Sequence, residues 1–160
     1  MNELHDIIWS LLVSEDGVKL PKLIKEVYLV DWKCAFAYPP RPCNFIWTYG
    51  PCGPTSNEII DCIRHHSDLF IVKEKNYCGG AQELIIYRAN VEHEVSLSSE
   101  VQSAISLVLN VAASKDSASF SLLVSSTYPL MRSSMLDELD IEKFAHEYRE
   151  VLKNRIVPNA

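Results

Sequence analysis

Lys22-Leu23-Ile24-Lys25-Glu26-Val27-Tyr28-Leu29-Val30-Asp31-Trp32 is the stretch on which the fold turns. Pro21, just ahead of it, suits a first helical turn, where its missing N–H costs nothing. At about 100° per residue, Leu20, Ile24, Val27, Cys34 and Ala35 share one face, while Lys22, Lys25, Glu26 and Lys33 point elsewhere. Asp31 falls near the middle of the apolar stripe. An isolated buried carboxylate is expensive, so Asp31 is expected to receive backbone N–H groups or an Arg and so tie a loop to the core. A catalytic acid and an exposed helix end are the alternatives.

Upstream, the spacing predicts a helix over Glu3–Val13, with Leu4, Ile7, Ile8, Leu11 and Leu12 on one face. Trp9 lies off that stripe, so the helix either meets two neighbours or leaves Trp9 at an interface. Ser14-Glu15-Asp16-Gly17 reads as a turn.

Downstream, the prolines of residues 38–43 end the central helix. Asn44–Tyr49 is β-prone and Gly50-Pro51-Cys52-Gly53-Pro54 is a stiff loop. Thr55 with Glu58 matches a capping box for a helix ending near His66. Leu69–Lys73 and Glu83–Arg88 read as strands around an Asn76–Gly80 hairpin turn. Ser98–Ser114 reads as a deeply buried helix, Ala118–Ser126 as a short helix or a strand, with helix favoured on context, and Thr127–Leu139 as irregular. Asp140 caps a last amphipathic helix.

The expected architecture is α+β and mainly helical. It is a single domain over residues 1–155, with a small antiparallel hairpin or sheet, winged-helix-like, packed among five or six helices. Residues 156–160 form a loose tail.

The composition excludes several classes of function. Of 160 residues, 48% are hydrophobic and 22% charged, which is ordinary for a globular chain. The net charge of −6, with no Lys/Arg cluster, lacks the footprint of a phosphate-backbone binder and would favour a basic protein partner. No apolar run approaches the roughly 20 residues of a membrane span. The acidic start, Met1 to Asp6, lacks the basic region of a secretory signal, so a cytoplasmic location is expected, with the five cysteines as free thiols.

Candidate chemistry can be assembled from several residues, each with a plainer explanation. Cys62, His65 and His66, with Cys52 and Cys78, lack the paired short spacings of a structural zinc site, so no metal is expected. Cys52 in its Gly-Pro loop has no recognisable nucleophile signature. Two prolines strip that loop of the N–H donors a phosphate cradle needs. As a DNA reader, the helix after Thr55 would offer Asn57, Asp61, Arg64 and His65, and a wing would offer Lys73, Lys75 and Asn76, interleaved with acids.

The central stretch resembles the helix of the Panacea, or SocA-like, antitoxin domain family. Thr48-Tyr49-Gly50-Pro51 is similar to that family's Tyr–x–Gly-Pro segment after a strand. Ser126-Thr127-Tyr128-Pro129, with Leu139-Asp140-Ile141, is similar to its C-terminal region. Together these segments span roughly Leu20 to Leu152. A histidine is common in the family where this chain has Tyr128, and Cys52 and Pro54 alter the Gly-Pro loop.

The resemblance implies a protein-binding module with neither catalysis nor cofactor. Its partner would be a cognate toxin, with a protease or chaperone as a further one. Asp31, Trp32, Tyr49, Gly50 and Pro51 would be structural, with Asp31 buried near the Tyr49-Gly50 loop. Trp9, Tyr38, Arg41, Tyr128, Pro129 and Met131 would supply partner-binding anchors of the kind interfaces favour. The second reading is an acidic winged-helix-like transcriptional regulator that binds DNA only through a dimer or partner.

Overall fold

The computed structural model describes residues 3–156. Its helices are α1 (Leu4–Leu11), α2 (Leu20–Ala37), α3 (Asn57–His65), α4 (Ser99–Ala113), α5 (Ser117–Ser125), α6 (Tyr128–Met131) and α7 (Ile141–Ile156). Its strands are β1 (Val18–Lys19), β2 (Trp47–Gly50), β3 (Gly53–Thr55), β4 (Phe70–Asn76), β5 (Gln82–Arg88) and β6 (Glu138–Leu139). The strands form two antiparallel sheets, β1-β5-β4 and β3-β2-β6. The fold is therefore α+β and mainly helical, and α1, α2, α3 and the β4–β5 hairpin keep the winged-helix order.

α2 is the spine of the molecule. It packs against α1, α4, α5 and α7, and Leu23, Val27, Tyr28, Val30 and Cys34 have essentially no exposed surface. Burial on so many sides explains why the apolar character of the stretch is not confined to one stripe. Tyr28 reaches across to hydrogen-bond Thr127 at 2.7 Å. Thr127 Oγ1 gives its proton to the Val124 carbonyl, so the phenol donates, and α2 is tied to the α5–α6 junction.

Asp31 has 0% exposure and is fully partnered. Arg41 donates to it twice, Nε to Oδ1 at 3.1 Å and Nη2 to Oδ2 at 2.6 Å, and the Trp47 indole N–H donates to Oδ2 at 2.8 Å. Burial pushes the carboxyl upward, and the Arg41 charge, the Trp47 indole and the Cys43 backbone N–H draw it back. Burial works against the Arg41 charge as well, but Asp31 outweighs it and holds the guanidinium above its ordinary value. The two groups are ionised together, because each is the main stabiliser of the other. Arg41 Nη2 also donates to the Phe45 carbonyl at 3.0 Å, fastening the chain between α2 and β2. The loop tied to the core is thus the Arg41–Trp47 segment that leads into Tyr49-Gly50.

Several sequence expectations change in detail. α1 stops at Leu11 rather than Val13, because the Leu12 N–H closes the last turn on Ile8 and Trp9. Thr55 is the last residue of β3, so Ser56 takes the N-cap of α3, and its hydroxyl donates to Glu58 at 2.6 Å. Residues 127–139 hold α6 and β6, and β6 pairs with β2 through Trp47–Leu139 and Thr48–Glu138. β1 pairs with β5, and Gly17 before it has φ +75° and leaves no room for a Cβ, which would meet Ile85, Tyr87 and the Ile86 carbonyl at 2.7, 2.8 and 2.9 Å. α7 runs through Ile156, and residues 157–160 lie outside the described residues.

Glu26 is the one buried side chain among the described residues with an unbonded oxygen: Oε2 has no partner, and Lys22 Nζ stands 3.9 Å from Oε1. Burial raises its pKa from 4.5 to about 7, and Lys22 opposes the shift. The folded state then holds a proton the unfolded chain releases, so its stability is fully present below about pH 4.5 and falls as pH rises toward 7. Urea unfolding against pH should show a loss on the order of 2–4 kcal/mol across that interval. Glu26→Met should remove that component; an unchanged pH profile in the variant would refute the assignment.

Candidate functional site

The β2–β3 hairpin turns at Pro51-Cys52, with Gly50 opposite Gly53. The turn projects beside α5, and a hollow of about 640 Å³ opens between them. Pro21, Tyr49, Pro51 and Cys52 line one side, Leu122 and Val124 the other, and Met135 closes one end. Leu122 and Met135 in its lining, with Leu136 next to Met135, are exposed, at 67%, 56% and 77%. Clustered exposed apolar residues of this size mark interaction surfaces, and Met adapts its shape to different partners.

Leu136 carries a further signal. Its φ is +77°, the left-handed region that costs a branched side chain free energy. Hydrogen bonds on both sides hold it there. Leu136 N–H donates to the Tyr49 carbonyl at 2.8 Å, and Tyr49 N–H donates to the Asp137 carbonyl at 2.9 Å. A strained and exposed leucine is retained against both strain and hydration, as happens where a binding surface needs the side chain.

On the flank of this hollow lies a second one of about 430 Å³, bordered by Lys19, Lys22, Lys25 and Lys115 with Glu83 and Asp116. Lys25 and Pro21 line both hollows. The expectation of a basic partner rests on net charge, whereas beside the groove four lysines stand with two acids, Lys19 being paired with Glu83 at 2.8 Å.

The sequence-derived partner residues fall in different settings. Trp9 is 7% exposed, its ring covered by Arg88 at 4.8 Å and packed against Phe70, so it is a core residue and not a surface anchor. Arg41 is committed to Asp31, which corrects its role from partner anchor to structural link. Pro129 is buried where α6 begins. Tyr128 is half-buried, packed on Phe144 and Tyr148 of α7. Tyr38 is exposed beyond the end of α2, beside the prolines. Met131 is exposed on α6. Of the structural set, Asp31 and Trp32 are buried, Gly50 is buried, Tyr49 is half-buried, and Pro51 is exposed at the turn.

Of the suggested metal and nucleophile residues, Cys62 and His66 meet, with Sγ 3.8 Å from Nδ1, while Cys52 and Cys78 lie apart from them. Cys62 is buried, and burial pushes its thiol up to about 11. Cys34 rises to about 12 and Cys43 moves well up for the same reason, so neither is a ready nucleophile. Cys52 and Cys78 are exposed at the tips of two different hairpins. His65 and His66 turn their Nδ1–H groups back onto the carbonyls of Asp61 and Cys62.

Leu122, Met135 and Leu136 carry no signal that sequence reasoning could have used. Leu122 sits in a nine-residue helix of weak amphipathicity, and Met135-Leu136 in a stretch with no periodicity, so no pattern marks them as exposed. Compared with family models, curated proteins and solved structures, the chain matches none. Leu136→Gly should raise stability by about 0.5–1 kcal/mol in chemical denaturation, because glycine adopts this φ freely and little burial is lost. A destabilised Leu136→Gly would show that the side chain is needed by the fold.

Proposed function

We propose that the chain is an antitoxin-like protein-binding module, which blocks a cognate toxin by direct contact or hands it to a protease. The groove between the Pro51-Cys52 turn and α5, with its rim of exposed leucine and methionine, is the observation that carries this reading. The strained Leu136 supports it, as does the resemblance of Lys22–Trp32, Thr48–Pro51 and Ser126–Pro129 to Panacea-like segments. The lysines beside the groove favour a partner that presents an apolar segment flanked by acids.

The alternative, an acidic winged-helix-like regulator, draws on α3 and the β4–β5 hairpin, where Asn57, Asp61, Arg64, His65, Lys73, Lys75 and Asn76 are all exposed. Glu58, Asp61 and Glu74 dilute that face, so DNA contact there would need a dimer or a basic partner. Site-specific DNA binding with a steep salt dependence would favour it.

Co-expression with the product of the neighbouring gene tests the main reading. The two proteins should co-purify and growth should be restored. Leu122→Glu and Met135→Glu, each in a folded protein, should weaken the complex by roughly 10-fold or more. Absence of both co-purification and growth rescue would contradict the reading.

A further inference from the structure

Three of the chain's five histidines gather about one buried carboxylate of α1. That carboxylate is Asp6, which is 5% exposed. His93 Nε2 lies 2.6 Å from its Oδ1, and His5 Nε2 lies 3.4 Å from the same oxygen. The three ligand atoms all lie within 4.8 Å of one another. The other carboxylate oxygen accepts the Ser96 backbone N–H at 3.2 Å, which fixes the plane of the group. His66 stacks on His5 with centroids 4.6 Å apart and rings 15° from parallel, and the Trp9 ring meets His93 edge-on at 5.0 Å.

We propose that His5, Asp6 and His93 form a binding site for a divalent transition metal of the zinc class, with a fourth position open to solvent. Two imidazoles and a carboxylate are a donor set for zinc or its neighbours, whereas magnesium and calcium take oxygen ligands. Bonds of about 2.0–2.2 Å to a tetrahedral ion place ligand atoms roughly 3.3 Å apart. The His5–Asp6 separation already meets that spacing. His93 must draw back by roughly 0.7 Å, to the same tetrahedral separation. The side chains of His5 and His93 are 27% and 17% exposed, so they have room to turn and solvent has a path to the ion. The Ser96 N–H and the stacked His66 ring orient the ligands from behind, as second partners do in metal sites.

The ion would add a staple to a segment that otherwise rests on Val95 and Leu97, half-buried against the core. Residues 89–98, between β5 and α4, have no regular structure, and His93 and Ser96 both reach Asp6. A metal there would replace the His93–Asp6 hydrogen bond with a coordinate link between α1 and this connection, and the Ser96 N–H would stay on the other carboxylate oxygen.

Zinc titration against a competing chromogenic chelator tests the site, starting from C52S/C78S protein so that exposed thiols do not contribute. About one zinc per chain should bind, and the ion should raise the thermal midpoint. Outer partners are worth about 10–100-fold in affinity, so His5→Gln or His93→Gln should each cost roughly 100-fold or more. His146→Gln, exposed on α7, should cost nothing. Circular dichroism of each variant separates a lost ligand from a lost fold. Undiminished zinc affinity in the folded His5→Gln/His93→Gln double variant, or no zinc-dependent rise in the thermal midpoint of the starting protein, would overturn the proposal.

Discussion

Asp31 and Arg41 form an ion pair inside the protein, and the positions of the surrounding elements follow from it. Asp31 stands on α2, the helix against which most of the others pack; Arg41 stands ten residues on, past a proline-rich turn that no helix can cross. Closing the pair folds that turn back onto the spine. Trp47 then donates its indole N–H to the same carboxylate, which fixes where β2 begins. β2 in turn sets β3 on one edge and β6 on the other, and so the hairpin wall of the groove, which faces α5. Replacing such a pair with apolar groups can be neutral, whereas removing one partner strands a buried charge. Its contribution is therefore mainly to specify one arrangement of the 38–50 region.

The chain forgoes stability at a few places, and one of them adjoins the groove. Leu136 is held in a left-handed backbone conformation with its side chain in water. Of the lysines beside the groove, Lys19 is paired with Glu83 at 2.8 Å. Glu26 keeps an oxygen unpartnered inside the α2 packing. Polar groups elsewhere in the core are matched with care, as at Tyr28–Thr127 and Asp31. A departure from local consistency such as that at Leu136 is expected at functional surfaces.

Helices α1–α4 and α7 and the β4–β5 hairpin are legible in the sequence because each carries its own periodicity or turn chemistry, whereas α5 is read only on context. Asp31 is legible for the same reason, a charge on an apolar face. Its partner is not, since the path of Tyr38–Cys43 depends on tertiary closure and periodicity says nothing about where Arg41 returns. Trp9 leaves the α1 stripe and so resembles an interface residue, but Arg88 and the β4 edge form a second wall that covers it. The two-residue strands β1 and β6 and the four-residue α6 are too short to leave a pattern, which hides the rim of the groove. His5, Asp6 and His93 come together from α1 and an irregular connection 87 residues away, a closeness that no local spacing encodes.

A double-mutant cycle on Asp31→Ala and Arg41→Ala, followed by urea unfolding, measures the central linkage directly. Each single change leaves a buried charge or lone pairs unmatched, so each should cost on the order of 3–5 kcal/mol, and the double variant should cost well below their sum, with a coupling of about 2 kcal/mol or more. Strictly additive losses would mean that the two side chains do not act as a pair, and would contradict the claim that their contact closes the proline-rich turn onto α2.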